Sequence, residues 1–193
     1  MRRSTAERKV SVSQDTVVMG LDPGTLVTGY GIVSLASAGM TMIARGTIRN
    51  DPSCAMSLRL EHIYAEICSI IRQYRPAEFA IESAFYGKNA QSALKLGHAR
   101  GVAILAAVQS GLPVSEYSPR EVKKALVGKG SASKEQVRFM VCSLLGVRKG
   151  EMTLDASDAL AIAICRFHRK FGPPAKKADW SSYVRAHPER VLQ

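Results

Sequence analysis

The chain has 193 residues and a mass of 20.9 kDa, a size that suits one domain burying roughly two thirds of its unfolded surface. Its net charge of +11 and pI near 9.8 favour a polyanionic partner, because Lys and Arg displace counterions from phosphate. Residues 1–16 and 166–193 together carry +7, which leaves +4 for Val17 to Cys165. Basic Met1–Gln14 has no apolar stretch behind its arginines, and apolar runs such as Val102–Val108 are too short to span a bilayer. A soluble, cytoplasmic protein is expected. The four cysteines, Cys54, Cys68, Cys142 and Cys165, show no CxxC or Cys/His spacing, so neither a disulfide framework nor a zinc site is expected.

Val17-Val18-Met19-Gly20-Leu21-Asp22 is a short apolar run that ends in an acid and turns on Pro23 and Gly24. It predicts a buried strand that delivers Asp22 to the rim of a sheet. Gly29–Leu35 and Thr41–Ile48, linked by a turn around Gly39, complete a three-stranded meander. From Ser57 the apolar residues Leu60, Ile63, Ile67, Ile70, Ile71 and Tyr74 fall at helical steps, and Pro76 is expected to end that helix. Glu78–Glu82 repeats the pattern of the first strand, apolar and then acid. A long helix follows over Asn89–Ser110. On it Ala93, Gly97 and Gly101 lie four apart, a stripe of small residues that lets another backbone come close. Packing inside the domain is the preferred reading, and the same helix of a second subunit is the alternative. Leu112–Tyr117 predicts the last strand, Ser118-Pro119-Arg120-Glu121 a capped helix start, and Gly128–Ala132 a flexible basic loop. Ser133–Leu145 forms the next helix, closed by Gly146. An apolar helix from about Asp155 ends the pattern near His168.

The order is β-β-β-α-β-α-β-α-α-α. Strands joined by helical crossovers run parallel to the first, so a fourth strand beside the first brings Asp22 and Glu82 together at the carboxyl edge. Asp155 and Asp158, three apart, share one helical face. Locally they also read as an N-cap and its capping-box partner. Four converging carboxylates repel one another unless a cation neutralises them. Oxygen-only ligands select Mg²⁺, with Mn²⁺ as a substitute, over Zn²⁺. A pair of such ions per subunit suits phosphodiester hydrolysis.

Three stretches resemble the RuvC family of bacterial Holliday junction resolvases over about Val17–Cys165. They are Gly20–Thr25 with Thr28–Gly31, Ile81–Phe85 with Lys88-Asn89-Ala90 and Ala93–Gly101, and Asp155–Ala163. The resemblance implies an α/β, ribonuclease H-like fold: a five-stranded mixed sheet flanked by helices on both faces. It implies a homodimer that places paired symmetric Mg²⁺-dependent nicks in four-way junction DNA during recombination and repair, in company with branch-migration motor proteins. It assigns Asp22, Glu82, Asp155 and Asp158 as catalytic and metal-binding acids. It also assigns Phe85 to unstacked bases, Lys123 and Lys134 to phosphates near the scissile strand, and places Lys88 and Asn89 with these DNA contacts. The family usually has Gln after the strand-borne glutamate, where this chain has Ser83. On this reading residues 1–16 are a flexible basic extension, 17–170 the nuclease domain and 171–193 a basic tail.

Several residues keep a plainer alternative: Phe85 as a core aromatic, the lysines as ordinary surface, His98 as a packing or surface residue, Trp180 as part of a polar tail. Three other functions remain. An actin-like or sugar-kinase ATPase needs two lobes that 193 residues cannot supply. A ribonuclease H-like nuclease acting on RNA and a non-catalytic nucleic-acid module are the further alternatives, and four acids oppose the last because bare carboxylates repel phosphate.

Overall fold

The computed structural model describes residues 16–36, 39–83, 90–148 and 152–171. The described elements are β1 (Thr16–Asp22), β2 (Val27–Ala36), β3 (Gly39–Arg49), α1 (Met56–Tyr74), β4 (Glu78–Glu82), α2 (Ala90–Gln109), β5 (Val114–Tyr117), α3 (Pro119–Val127), α4 (Lys134–Leu145) and α5 (Leu154–Phe171). This is the expected order. The sheet runs β3-β2-β1-β4-β5. β1, β2 and β3 pair antiparallel, while β4 runs parallel to both β1 and β5.

Alternation along the strands sorts their side chains onto two faces. Met19 and Leu21 of β1 with Phe79 and Ile81 of β4 join a core closed by Ile63, Ile67, Ile70 and Ile71 of α1 and the buried alanines Ala99, Ala103, Ala106 and Ala107 of α2. Val18 and Ala80 join the opposite core, made with α3, α4 and α5. Asp22 and Glu82 share the parity of Val18 and Ala80, so both acids project toward the face that α3 and α5 cover.

That face is bare where α5 crosses it. A β-carbon on Gly20 would lie 2.1 Å from the Ala159 carbonyl oxygen, one on Gly29 2.2 Å from the Asp155 carbonyl oxygen, and one on Gly31 2.7 Å from the Leu160 side chain. Only hydrogen at these three positions lets the helix seat directly on β1 and β2. Ala156, Ala159 and Ala163, all buried, continue the close contact from the helix side.

As expected, α1 stops ahead of Pro76, with Tyr74 its last residue. Arg75 caps it in the left-handed region at φ 44°, its N–H donating to the Ile71 carbonyl, and the helix cannot run on into Pro76 because the residue before a proline is kept out of the helical region. The Gly97 and Gly101 stripe does not pack inside the domain: a β-carbon at either position meets nothing within 4 Å. Residues 128–132 form the turn between α3 and α4. Gly128 caps α3 in the left-handed region, Arg120 lies across Gly130, and Ala132 is buried. Finally, Asp155 does not cap α5. Thr153 does, its hydroxyl accepting the Ala156 N–H at 3.4 Å, which leaves Asp155 in the first turn and Asp158 free of any capping role. The starts of α3 and α4 follow their sequence signals, with full capping boxes at Ser118 with Glu121 and at Ser133 with Gln136.

Candidate active site

β1 and β4 end side by side. Their register runs Gly20 with Ala80 and Leu21 with Ile81, so Asp22 and Glu82 are the next residues on each strand. On the other side of β1, Asp22 pairs with Gly29, the glycine over which the Asp155 backbone passes. The α5 approach that the glycines permit therefore carries Asp155 and, one turn further, Asp158 to the same edge.

Asp22, Glu82 and Asp158 line one cleft of about 260 Å³ with Lys123 and Lys134, walled by Pro119, Val122, Val137, Ala161 and Ile162. Asp155 lies beside this cleft rather than in its lining, close enough for its charge to act on Asp22. Lys134, at the first position of α4, sends Nζ to within 3.1 Å of Asp158 Oδ2. Phe85, Lys88 and Asn89 lie outside the described residues, as does Trp180. His98 is exposed on α2.

The turn after Asp22 is tightly held. The Thr28 hydroxyl donates to the Gly24 carbonyl at 2.7 Å, and the Asn50 amide donates to the Thr25 carbonyl at 3.0 Å. A β-carbon on Gly24 would meet the Val27 carbonyl oxygen at 2.2 Å, so this position too admits only glycine.

The electrostatics follow from crowding acids in a partly closed space. Burial, then the neighbouring charges of Glu82 and Asp158, pushes the Asp22 carboxyl up to about 7, with Lys134 opposing. Burial and Asp158 likewise raise Glu82, against Lys134 and Lys123. The bond to Asp158 and the surrounding negative charge raise Lys134, which stays protonated. Among the described residues no three Asp, Glu, His or Cys side chains are grouped closely enough to hold a metal ion as they stand. The donor chemistry nonetheless fits a hard divalent cation: the acids offer oxygen alone, and each raises its neighbour's affinity for positive charge.

Sequence reasoning identified the acids and both lysines but missed the apolar wall, whose signal was only the inward stripes of α3 and α4. It also missed Arg100, whose Nε donates to the Glu82 carbonyl oxygen at 3.3 Å.

The mixed β3-β2-β1-β4-β5 sheet, with acids at its carboxyl edge faced by lysines across a cleft, belongs to the ribonuclease H-like class of folds. The family model described as crossover junction endodeoxyribonuclease RuvC matches residues 18–166. The RuvC of Chloroherpeton thalassium is 42% identical over 185 residues, spanning 92% of this chain and 100% of its own. That of Methylococcus capsulatus is 52% identical over 155 residues, 80% of this chain and 92% of its own. The structure of Thermus thermophilus RuvC in complex with Holliday junction substrate superposes with a TM-score of 0.76 at 33% identity, covering 81% of this chain and 96% of that one. The chain belongs to the RuvC family of crossover junction endodeoxyribonucleases, and its activity is hydrolysis of DNA at such junctions.

Proposed function

We propose that Asp22, Glu82, Asp155 and Asp158 are the catalytic, metal-holding acids of this nuclease, and that Lys123 and Lys134 meet the phosphates of the strand being cut. The observation that carries the reading is the convergence of Asp22, Glu82 and Asp158 with both lysines on one cleft. Mutually repelling, partly buried carboxylates favour a bound cation, and an all-oxygen donor set favours Mg²⁺, with Mn²⁺ as substitute. Two ions per subunit is the stoichiometry that four acids suit. When bound, the metal supplies the Lewis acidity that activates water and steadies the leaving 3′ oxygen.

The chain's own residues do the remaining work. Asp22 and Glu82 stand at the ends of neighbouring strands, with Arg100 bonded to the Glu82 carbonyl, so their relative position is set before substrate arrives. Lys123 and Lys134 offset phosphate charge from the facing wall. Lys134 also pairs with Asp158, so one ammonium can serve either the acids or the substrate. The T. thermophilus relative was solved with a Holliday junction, and the four-way junction is the substrate proposed here. Phe85, Lys88 and Asn89 are proposed as contacts to its bases and backbone.

Paired symmetric cuts require two active sites, and hence a homodimer. Supporting it, Leu94, Leu105 and Val108 of α2 are 62%, 50% and 57% exposed beside the open Gly97 and Gly101. Residues 17–170 form the nuclease unit on this reading, with basic extensions at both ends. No described helix is long and apolar enough to cross a membrane, and the four cysteines are free. The free cysteines fit the reducing, cytoplasmic setting proposed for it.

The test is a synthetic four-way junction incubated with protein and Mg²⁺. Symmetric nicks in opposite strands are expected, with linear duplex of the same sequence left uncut. Asp22→Asn and Glu82→Gln should each lower the cleavage rate by about 10³-fold or more while gel-shift affinity for the junction persists. Parental cutting by either variant would refute the assignment.

A further inference from the structure

Glu82 is the last residue of β4, and its position is not secured by the sheet alone. The β1–β4 register ends at Leu21 with Ile81. One residue beyond Asp22 on the β1 side stands Pro23, which has no amide hydrogen to offer a neighbouring strand. On the β5 side the Ser83 N–H donates to the Tyr117 carbonyl at 2.8 Å. The carbonyl of Glu82 itself takes its donor from outside the sheet: Arg100 Nε, on α2, at 3.3 Å.

The same guanidinium donates through Nη2 to Glu116 Oε2 on β5, and Glu116 is in register with Ile81. One planar fork thus bridges the ends of β4 and β5 from the helix above. Its side chain is 20% exposed, and the Glu116 partner is 48% exposed. A guanidinium suits this work because its N–H groups are fixed in one plane, so holding Glu116 sets the direction of the bond to Glu82. Lysine, with a single nitrogen on a flexible stem, cannot hold two separated acceptors in a fixed plane.

We propose that Arg100 is a positioning residue for the active site: braced by Glu116, it holds the backbone of Glu82 so that the carboxylate faces Asp22 and Asp158. Groups that orient a metal-binding carboxylate without touching the ion commonly change metal affinity or activity by about 10–100-fold when removed. The inference rests on the assignment of Glu82 as a site acid.

The experiment compares full-length parent, Arg100→Lys, Arg100→Gln, Glu116→Gln and Glu82→Gln. Mn²⁺ binding is followed by calorimetry without DNA, and kcat and KM on a four-way junction are measured with Mg²⁺. Thermal melting and sedimentation confirm a folded protein of parental oligomeric state, a necessary control because α2 also carries the open apolar face. The expected result is Mn²⁺ binding and kcat each reduced about tenfold in both Arg100 variants, with KM and junction affinity unchanged and a smaller change of the same direction in Glu116→Gln. A structural role alone would lower the melting temperature and leave Mn²⁺ affinity and kcat of the folded protein untouched, and that outcome overturns the proposal. If the Arg100 variants do not fold, parental metal affinity in Glu116→Gln overturns it equally. Normal cutting by Glu82→Gln would instead overturn the assignment of Glu82, and the role of Arg100 with it.

Discussion

Glu78 and Asp22 are acids on paired strands, and their neighbours give them opposite characters. Glu78, 5% exposed, sits between Arg166 and Lys170 of α5. Burial works against its charge, but the bonds from Lys170 and Arg166 outweigh it and hold the carboxyl below its ordinary 4.5. The fold therefore favours the ionised form. Its stabilisation is complete above the ordinary value and is lost as pH falls through the lower folded one. Glu78→Gln is expected to cost about 1–3 kcal/mol at neutral pH, since it leaves two cations without their shared partner. Urea titrations at a series of pH values should show that gap closing below 4.5, and a gap independent of pH would refute the account. Asp22 has acids where Glu78 has cations, and the carboxyl is pushed up instead, to about 7. Such a group strains the fold and is retained at a site that binds positive charge. In the sequence both acids flank apolar runs and look alike. The cations that distinguish them stand 88 and 92 residues from Glu78.

Among the elements, α5 decides where the site forms. It lies on a floor from which side chains are missing, and each missing side chain matters to the placement of Asp155 and Asp158. Gly20→Ala should be the most informative substitution, because its β-carbon would meet the Ala159 oxygen and, at 2.7 Å, the Ala163 nitrogen. Both are main-chain atoms of a helix and cannot move aside singly. A loss of about 2–3 kcal/mol is expected, at the upper end of overpacking costs, measurable as a lower denaturant midpoint. Unchanged stability would mean that α5 shifts freely, contrary to the packing described. The helix boundaries were largely legible, since Ser118-Pro119, Ser133 and Gly146 carry their local chemistry in their residue types. The start of α5 was legible to within a residue, but its cap is Thr153 and not the expected Asp155. Asp155 and Thr153 are both capping residue types, and residue order alone does not choose between them.

At the scale of the whole molecule, the two faces of the sheet are treated differently. The α5 face builds the site, and the α1–α2 face builds a second core whose outer helix leaves Leu94, Leu105 and Val108 uncovered. Leu105→Glu places a charge at the middle of that stripe. It should leave the protomer fold intact, convert the proposed dimer to monomer in sedimentation equilibrium, and replace paired junction cuts by single nicks, because a lone protomer would bring one cleft. Persistence of the dimer would show that α2 is not its interface. The T. thermophilus superposition over 96% of that chain shows that the family architecture extends across both faces.

What could be read from residue order alone was whatever local chemistry carries: strand and helix periods, caps, the breaks at Pro and Gly, and the fact that β1 and β4 each end in an acid. Parallel pairing of those strands then follows from crossover geometry, which places Asp22 and Glu82 together from residue order alone. Relations between distant residues were not legible in this way. They include the glycine floor under α5, the outward turn of Gly97 and Gly101, the cations around Glu78, and the Arg100 bond to the end of β4. Each depends on which face an element turns toward its neighbour, and a single helix or strand does not settle that until the layers pack. Asp22 shows both sides of this division. Its place at a strand end is a local property, while its raised affinity for a proton, and for the metal proposed to replace one, arises only where Glu82 and Asp158 reach it.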